Sequence, residues 1–370
     1  MSTTVSDHLL SRLREWGVEQ VSAYPGDGIN GLLAAWGRAD DNPRFIQARH
    51  EEMAAFQAVG HAKFSGKVGV YCATSGPGAI HLLNGLYDAK LDHVPVVAIV
   101  GRTDRSAIGG SYQQEVDLHS LFKDVASDFV ETVTVPEQLP DVLDRAIRTA
   151  YTRRAPTAVI IPADVQELEY AAPTHDFTMV PSSLGVSEWS AIPAAGALAK
   201  AADVLIALVG DGAMQMNGLA ELITAAKYRA EWQDPRLVVA VWNNQDLNQV
   251  GWEMRALRGA PRFLPSQSLP DVPYAEFAAS IGLTGIRVEK PEDVTPAWDA
   301  ALTASGPVVV EFRTDPAVPP IPPHATWEQM EATAAALLTG DSDRAGMIKQ
   351  GVKAKIQEFL PGRKKAGEPA

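Results

Sequence analysis

The chain has 370 residues, 46% of them hydrophobic, and a formal net charge of −13. That acidic balance, without a basic stripe, argues against nucleic-acid partners and against attachment to anionic lipid, while the length suggests two domains. The lone Cys72 excludes an internal disulfide and points to a reducing cytoplasm; residues 1–7 are polar, and no apolar run reaches membrane-spanning length.

From residue 3 to about 164, helical stretches alternate with short apolar runs at 18–23, 45–48, 68–73, 94–100, 129–133 and 157–161. The alternation predicts a doubly wound α/β domain over 1–170, with a mostly parallel sheet covered on both faces. Tyr24-Pro25-Gly26-Asp27-Gly28 follows the first run and Thr74-Ser75-Gly76-Pro77-Gly78 the third, both as Gly/Pro turns that open helices. Arg49-His50-Glu51-Glu52 follows the second and begins a helix reaching about Ser65. A generic strand-to-helix turn would use the same residue types, so the two Gly/Pro turns do not by themselves mark a site. Acidic residues in a first helical turn are also favoured by the macrodipole; Glu52 is assigned to that structural role. Ser-Gly-Pro-Gly is not a Gly-x-Ser-x-Gly elbow, so Ser75 is not read as a nucleophile.

Residues 171–189, with Pro173, Pro181, Ser182 and Ser183, read as a linker. A second α/β domain is expected over 190–330, with strands at 204–209, 237–242, 285–288 and 307–312, and a helical tail over 331–370 whose main helix spans 345–359. Gly210-Asp211-Gly212 ends the first of these strands and Asn243-Asn244 the second. Two strands that each deliver an oxygen ligand from their carboxyl ends suit a hard cation such as Mg²⁺, which takes about six oxygens and keeps phosphate oxygens among them. Asp211 can give a carboxylate oxygen, Asn244 its amide oxygen, and Asp246 a backbone carbonyl. Gly210 and Gly212 lack Cβ, which lets the chain bend and a diphosphate approach the amides of the helix that starts near Ala213.

The segment Gly210-Asp211-Gly212-Ala213-Met214-Gln215-Met216-Asn217, followed by Trp242-Asn243-Asn244-Gln245-Asp246-Leu247, resembles the signature of thiamine diphosphate enzymes, in their acetolactate synthase and pyruvate oxidase branch. Residues 229–235 read as an insertion that leaves both ligands in place. In the resembled family the Glu of an Arg-His-Glu segment binds the pyrimidine nitrogen of the cofactor, which here falls on Glu51. A carboxyl group withdrawn from water can share a proton with such a nitrogen. The resemblance further implies that Pro25, Gly26 and Gly78 line the cofactor, that Gln114 of Gln113-Gln114-Glu115 contacts substrate, and that His50 orients its neighbours. It implies sites shared between subunits of a homodimer or homotetramer.

Two features depart from that family. Acetolactate synthases and pyruvate oxidases carry a whole domain where this chain has its linker; a domain needs at least about 50 residues, so a central domain and the FAD it helps to hold are not expected. Glu188 also stands where an apolar prop under the cofactor would be expected, and a charge there is costly to bury. The sequence therefore reads as a thiamine diphosphate- and Mg²⁺-dependent 2-oxoacid decarboxylase or carboligase without FAD. The alternative is a non-catalytic or truncated family member that keeps the fold and assembly surface. A nicotinamide dehydrogenase is disfavoured, because no Gly-x-Gly-x-x-Gly follows a first strand with an acidic residue beyond it.

Overall fold

In a computed structural model of the chain, the residues described are 3–170, 205–318 and 327–348. Two compact units divide at Pro193 and Ala194, within a stretch that lies outside the described residues, as do the linker, Glu188 and most of the helix expected at 345–359.

Unit 1 is built on six strands, β1 (Gln20–Ala23), β2 (Arg44–Gln47), β3 (Gly69–Ala73), β4 (Val96–Arg102), β5 (Val130–Thr132) and β6 (Pro156–Pro162), all parallel in the order β2-β1-β3-β4-β6-β5. All six lie on runs marked by the apolar pattern. Because successive side chains of a strand point to opposite faces, β4 sends Val97 and Ile99 into one core and Val96, Ala98 and Val100 into the other. The first core is covered by helices Val5–Glu15, Asn30–Arg38 and Leu139–Arg153, the second by Glu51–Ser65, Leu83–Leu91 and Leu118–Phe122. Covering both faces is what an all-parallel sheet requires. A buried polar node ties the outer helices together: Arg12 grips Asp144 through Nε and a terminal nitrogen at 2.8 and 2.6 Å, and Trp16 Nε1 donates to the same carboxylate at 2.8 Å.

Unit 2 has four parallel strands, β7 (Leu205–Gly210), β8 (Leu237–Asn243), β9 (Thr284–Val288) and β10 (Val308–Arg313), in the order β7-β8-β10-β9. One face packs Val239, Val241 and Val309 on Tyr274, Ala278, Met214 and Leu222; the other packs Val238, Ala240, Val308 and Val310 on Ala297 and Ala301. The helix expected from Ala213 starts earlier and is not uniform. Asp211–Ala213 runs into a π-helical turn at Met214–Gly218 before regular helix resumes over Leu219–Tyr228. The Met214 thioether lies against Gly218, where a Cβ would sit 2.4 Å from its sulfur. A further helix, Trp327–Leu338, begins before the boundary set for the tail, and its start was not marked by the sequence pattern. No helix among the described residues is long and apolar enough to cross a membrane.

Close backbone approach holds unit 1 together at a few glycines. A Cβ on Gly69, at the start of β3, would lie 2.1 Å from the carbonyl oxygen of Ala58 in the Glu51–Ser65 helix. Gly69→Val is expected to cost about 3 kcal/mol, since neither backbone can yield without opening the core. Gly37→Ala, on an open helical surface, should be stabilising by about 0.5–1 kcal/mol. Urea denaturation of both variants, with equal losses as the adverse result, checks the assignment.

Candidate active site

Three neighbouring strands of unit 1 empty into one cluster. After β1 the chain turns through Pro25, which is exposed, and Gly26; after β3 it turns through Thr74–Gly78; after β2 it enters the helix that starts at Glu51. Thr74 is the hub. Its Oγ1 accepts from the Gly28 amide at 2.9 Å and donates to Asp27 Oδ1 at 3.3 Å. A Cβ on Gly26 would fall 2.5 Å from Thr74 Cβ, and one on Gly78 would fall 2.6 Å from Thr74 Cγ2 and 3.1 Å from Glu51 Oε1. These glycines are needed because the turns close on a side chain that is itself hydrogen-bonded. Gln114, in the left-handed region with φ 67°, lies over the same turn and accepts from Ser75 Oγ at 2.9 Å. The structure thus brings Gly26, Gly78, Gln114 and Glu51 around one turn.

Glu51 is 7% exposed although it opens a helix. His50 is the N-cap of that helix, its Nδ1 accepting from the Glu52 amide at 3.3 Å. His81, which sequence reasoning passed over, sits 3.1 Å from Glu51 Oε2 through Nδ1. The only hint of it was its position three residues after Gly78, one helical turn along the same helix.

In unit 2 the carboxyl ends of β7 and β8 converge as the paired motifs require. Asp211 is 3% exposed; its Oδ1 accepts from the Gly212 amide at 2.9 Å and its Oδ2 from the Gln245 amide at 2.6 Å. Gln245 adopts a left-handed φ of 60° to aim that amide, a strained choice for a side chain with a Cβ. Tyr274, fully buried, donates to the Asp211 carbonyl at 3.1 Å and is held by Gln215 at 2.9 Å. Asn244, half-buried on the same loop, accepts through Oδ1 from the Asp246 amide at 3.0 Å. Asn243 plays a different part, donating to the buried Glu311 at 2.8 Å. The Asp246 carboxylate pairs with Arg262 at 2.9 Å.

The glycines of this motif do not act as the sequence implied. Gly210 has φ −75° and ψ 153°, ordinary extended backbone that asks for no sharp bend, and a Cβ there would meet nothing within 4 Å. Gly212 instead makes room for Leu247, whose Cδ2 would be 2.6 Å from a Cβ. Ala213 is exposed just beyond, at the mouth of the helix. Residues 229–235 lie before β8, at its amino end and away from the ligand loops.

Burial lifts the Asp211 carboxyl above the usual aspartate range, against the amides of Gln245, Gly212, Asn244 and Asp246 that pull it down. A negative charge with so little water is stabilised by a bound cation, and the oxygen-only donor set fits Mg²⁺. The folded carboxyl is easier to protonate than the unfolded one. Its own contribution to stability is therefore complete below the unfolded pKa and lost as pH rises through the raised folded value. Cation binding needs the ionised form, so stabilisation by millimolar Mg²⁺ should grow as pH rises through that window and fade in acid. Thermal melts across pH test this; a Mg²⁺ effect that is flat from acid to neutrality would remove Asp211 from the ligand set.

The geometry can be set beside known proteins. Residues 3–121 match the family model "Thiamine pyrophosphate enzyme, N-terminal TPP binding domain", and residues 168–312 match its C-terminal TPP binding domain counterpart. A putative thiamine pyrophosphate-containing protein of Bacillus subtilis, YdaP, is 41% identical over 46% of this chain and 31% of its own length. Pyruvate oxidase of Lactiplantibacillus plantarum is 40% identical over 41% of this chain and 25% of its own, and the chloroplastic acetolactate synthase of Arabidopsis thaliana is 37% identical over 47% and 26%. The matched stretches thus span about a third or less of those relatives. Among solved structures, a thiamine diphosphate-dependent 4-hydroxybenzoylformate decarboxylase of Rhodococcus jostii RHA1 shares the fold at a TM-score of 0.68, over 84% of this chain and 99% of that one, with 16% identity. Buried Asp211 facing the Asn244 loop in one parallel sheet, and buried Glu51 against a glycine turn in the other, accord with these matches, and the chain belongs to the thiamine pyrophosphate enzyme family.

Proposed function

We propose that the protein is a thiamine diphosphate- and Mg²⁺-dependent enzyme that decarboxylates a small 2-oxoacid, or joins its acyl unit to a second carbonyl, without FAD. The observation that carries this reading is the Asp211 carboxylate, buried at the end of β7 and lifted above its usual range by desolvation. Asp211, the Asn244 amide oxygen and the Asp246 carbonyl would hold Mg²⁺. Gly210, beside which no side chain crowds, and Ala213 at the helix start would admit the diphosphate, while the Gly212 amide holds Asp211 in place. The cofactor when bound supplies an electron sink for decarboxylation.

Glu51 is the group assigned to proton exchange. Its carboxylate is withdrawn from water and steadied by His81, so that a proton can pass between Oε1 or Oε2 and a ring nitrogen within hydrogen-bond reach. Gly78 keeps the approach to Glu51 free of a side chain, Pro25 and Gly26 border it, and Gln114 offers an amide to the substrate. In this reading the Glu51 half-site of one subunit meets the Asp211 half-site of another, in a homodimer or homotetramer, and the site lies in the cytoplasm.

Two measurements test the proposal. Cofactor that binds only the native state adds about 2.7 kcal/mol at a hundredfold excess over its dissociation constant, a rise of several degrees in melting temperature that EDTA should erase. Asp211→Ala should abolish it and Asn244→Ala should reduce it; no rise for the unmodified chain at millimolar cofactor points instead to a non-catalytic family member. Glu51→Gln should keep Mg²⁺-dependent binding while slowing exchange of the cofactor's C2 proton into D₂O by about two to four orders of magnitude, with Glu52→Gln unchanged. Equal exchange for Glu51→Gln and the unmodified chain would dismiss Glu51 from proton transfer.

A further inference from the structure

Glu51 is flanked by two imidazoles. His81 Nδ1 is 3.1 Å from Glu51 Oε2 and His50 Nε2 is 4.0 Å from it. The two rings lie 4.3 Å apart between centroids, tilted by 33°, and one donor atom from each of the three side chains falls within 4.8 Å of the others. We propose that His50, Glu51 and His81 form a binding site for a zinc-class transition-metal ion, distinct from the oxygen-only Mg²⁺ site in unit 2. The ion and the cofactor pyrimidine exclude one another there, a clause that rests on the role proposed for Glu51.

The spacing suits such an ion. Zinc bonds of about 2.0–2.1 Å in a tetrahedral set place the donors about 3.3–3.4 Å apart. The Glu51–His81 pair has to open by a few tenths of an ångström, His50 to close on Glu51 by less than one, and the donors that now lie within 4.8 Å of one another to close by up to about 1.5 Å, movements that χ rotations of the two exposed imidazoles supply. The anchors are fixed: His50 and Glu51 are the cap and first residue of one helix, and His81 ends the short helix Pro77–His81 that Gly78 seats against Glu51. Both imidazole side chains are 40% exposed while that of Glu51 is 10% exposed, so the metal enters from solvent and water completes its shell. Two nitrogens and one carboxylate oxygen favour Zn²⁺, Co²⁺, Ni²⁺ or Cu²⁺ over Mg²⁺, which prefers oxygen.

Two costs set the affinity. Coordination through His50 Nε2 requires the ring proton on Nδ1, which gives up the 3.3 Å cap bond from the Glu52 amide. The helix start also carries partial positive charge, which the Glu51 carboxylate must outweigh. Occupation would tie up the Oε2 atom that faces His81 and place a dication beside the carboxylate, holding it ionised so that Oε1 no longer takes up and returns a proton. The metal would therefore act as a reversible inhibitor of proton exchange at Glu51.

The test uses the full chain freed of transition metals, in excess MgCl₂ so that the oxygen site is filled. Calorimetric titration with Zn²⁺ should show one site per chain, and Co²⁺ in its place should give the visible absorption of a nitrogen-coordinated ion. His81→Ala and His50→Ala, both at exposed rings, should each weaken zinc at least about tenfold, the scale of losing even an outer-shell partner, while His119→Ala leaves it unchanged. Adding thiamine diphosphate should weaken zinc in proportion to its concentration. Zinc affinity equal in His81→Ala and the unmodified chain, or no binding at millimolar zinc, overturns the site, and zinc affinity indifferent to bound cofactor overturns the exclusion. A chain that binds zinc through these residues yet binds no thiamine diphosphate would support the metal site and refute the proposed function.

Discussion

Asp211 is a carboxylate placed where almost no water reaches it, answered chiefly by backbone amides. The strand end at Gly210 delivers it, the Gly212 and Gln245 amides hold its two oxygens, and Tyr274 secures its own carbonyl from below. Much of unit 2 can be understood as what that placement requires. β7 and β8 must be adjacent and parallel for one to carry the acid and the other the amide. The Asn244–Leu247 loop is clasped to the following segment through Leu247 to Gln267 and Leu269 to Gln245, each at 2.8 Å. The left-handed Gln245 is the local strain that results.

Charge is also managed one layer out. The Asp246 side chain, raised above the usual aspartate range by burial and by Asp343 although Arg262 opposes it, connects the Asn244–Leu247 loop to a chain of ion pairs. Arg262 bridges Asp246 and Asp343, and Arg255, 1% exposed, grips Asp341 through two bonds of 2.8 Å. Breaking a buried pair of this kind strands its partner's charge, typically at a cost of about 3–5 kcal/mol. Residues 341–343 thereby become part of the support of the Asn244–Leu247 loop, far along the chain from the motif they steady.

Unit 1 solves a different problem with small residues. Its polar cluster needs three strand ends to converge within a few ångströms of a buried carboxylate. Glycines at 26, 28 and 78 allow it because Thr74 and Ser75 fill the space that their side chains would take. Gln166 pins the far side of the first turn by donating to the Gly28 carbonyl at 2.8 Å and to Ile161 at 3.0 Å. Two glycine-rich turns with the same residue types thus have unlike duties: close packing around Thr74 in unit 1, open access at Gly210 in unit 2.

The sequence by itself determined the positions of the ten strands found among the described residues, the α/β class with mostly parallel sheets, and the strand ends from which chemistry-bearing residues project, because alternating burial and strand-end turns are local patterns. Asp211 and Asn244 were singled out as strand-end oxygen donors, with glycines beside Asp211, whereas Glu51 was singled out by the resemblance of its Arg-His-Glu segment. Only the tertiary structure shows what Asn243 does, donating to the buried Glu311 while the Asn244 side chain turns to the Asp246 amide. It also decided that Gly210 is not a bend and that His81 lies on Glu51. The Asp246–Arg262–Asp343 chain assembles from residues almost a hundred positions apart. Such partners are chosen by packing across elements, and a linear pattern of residue types holds no record of which distant side chain the fold will bring into contact.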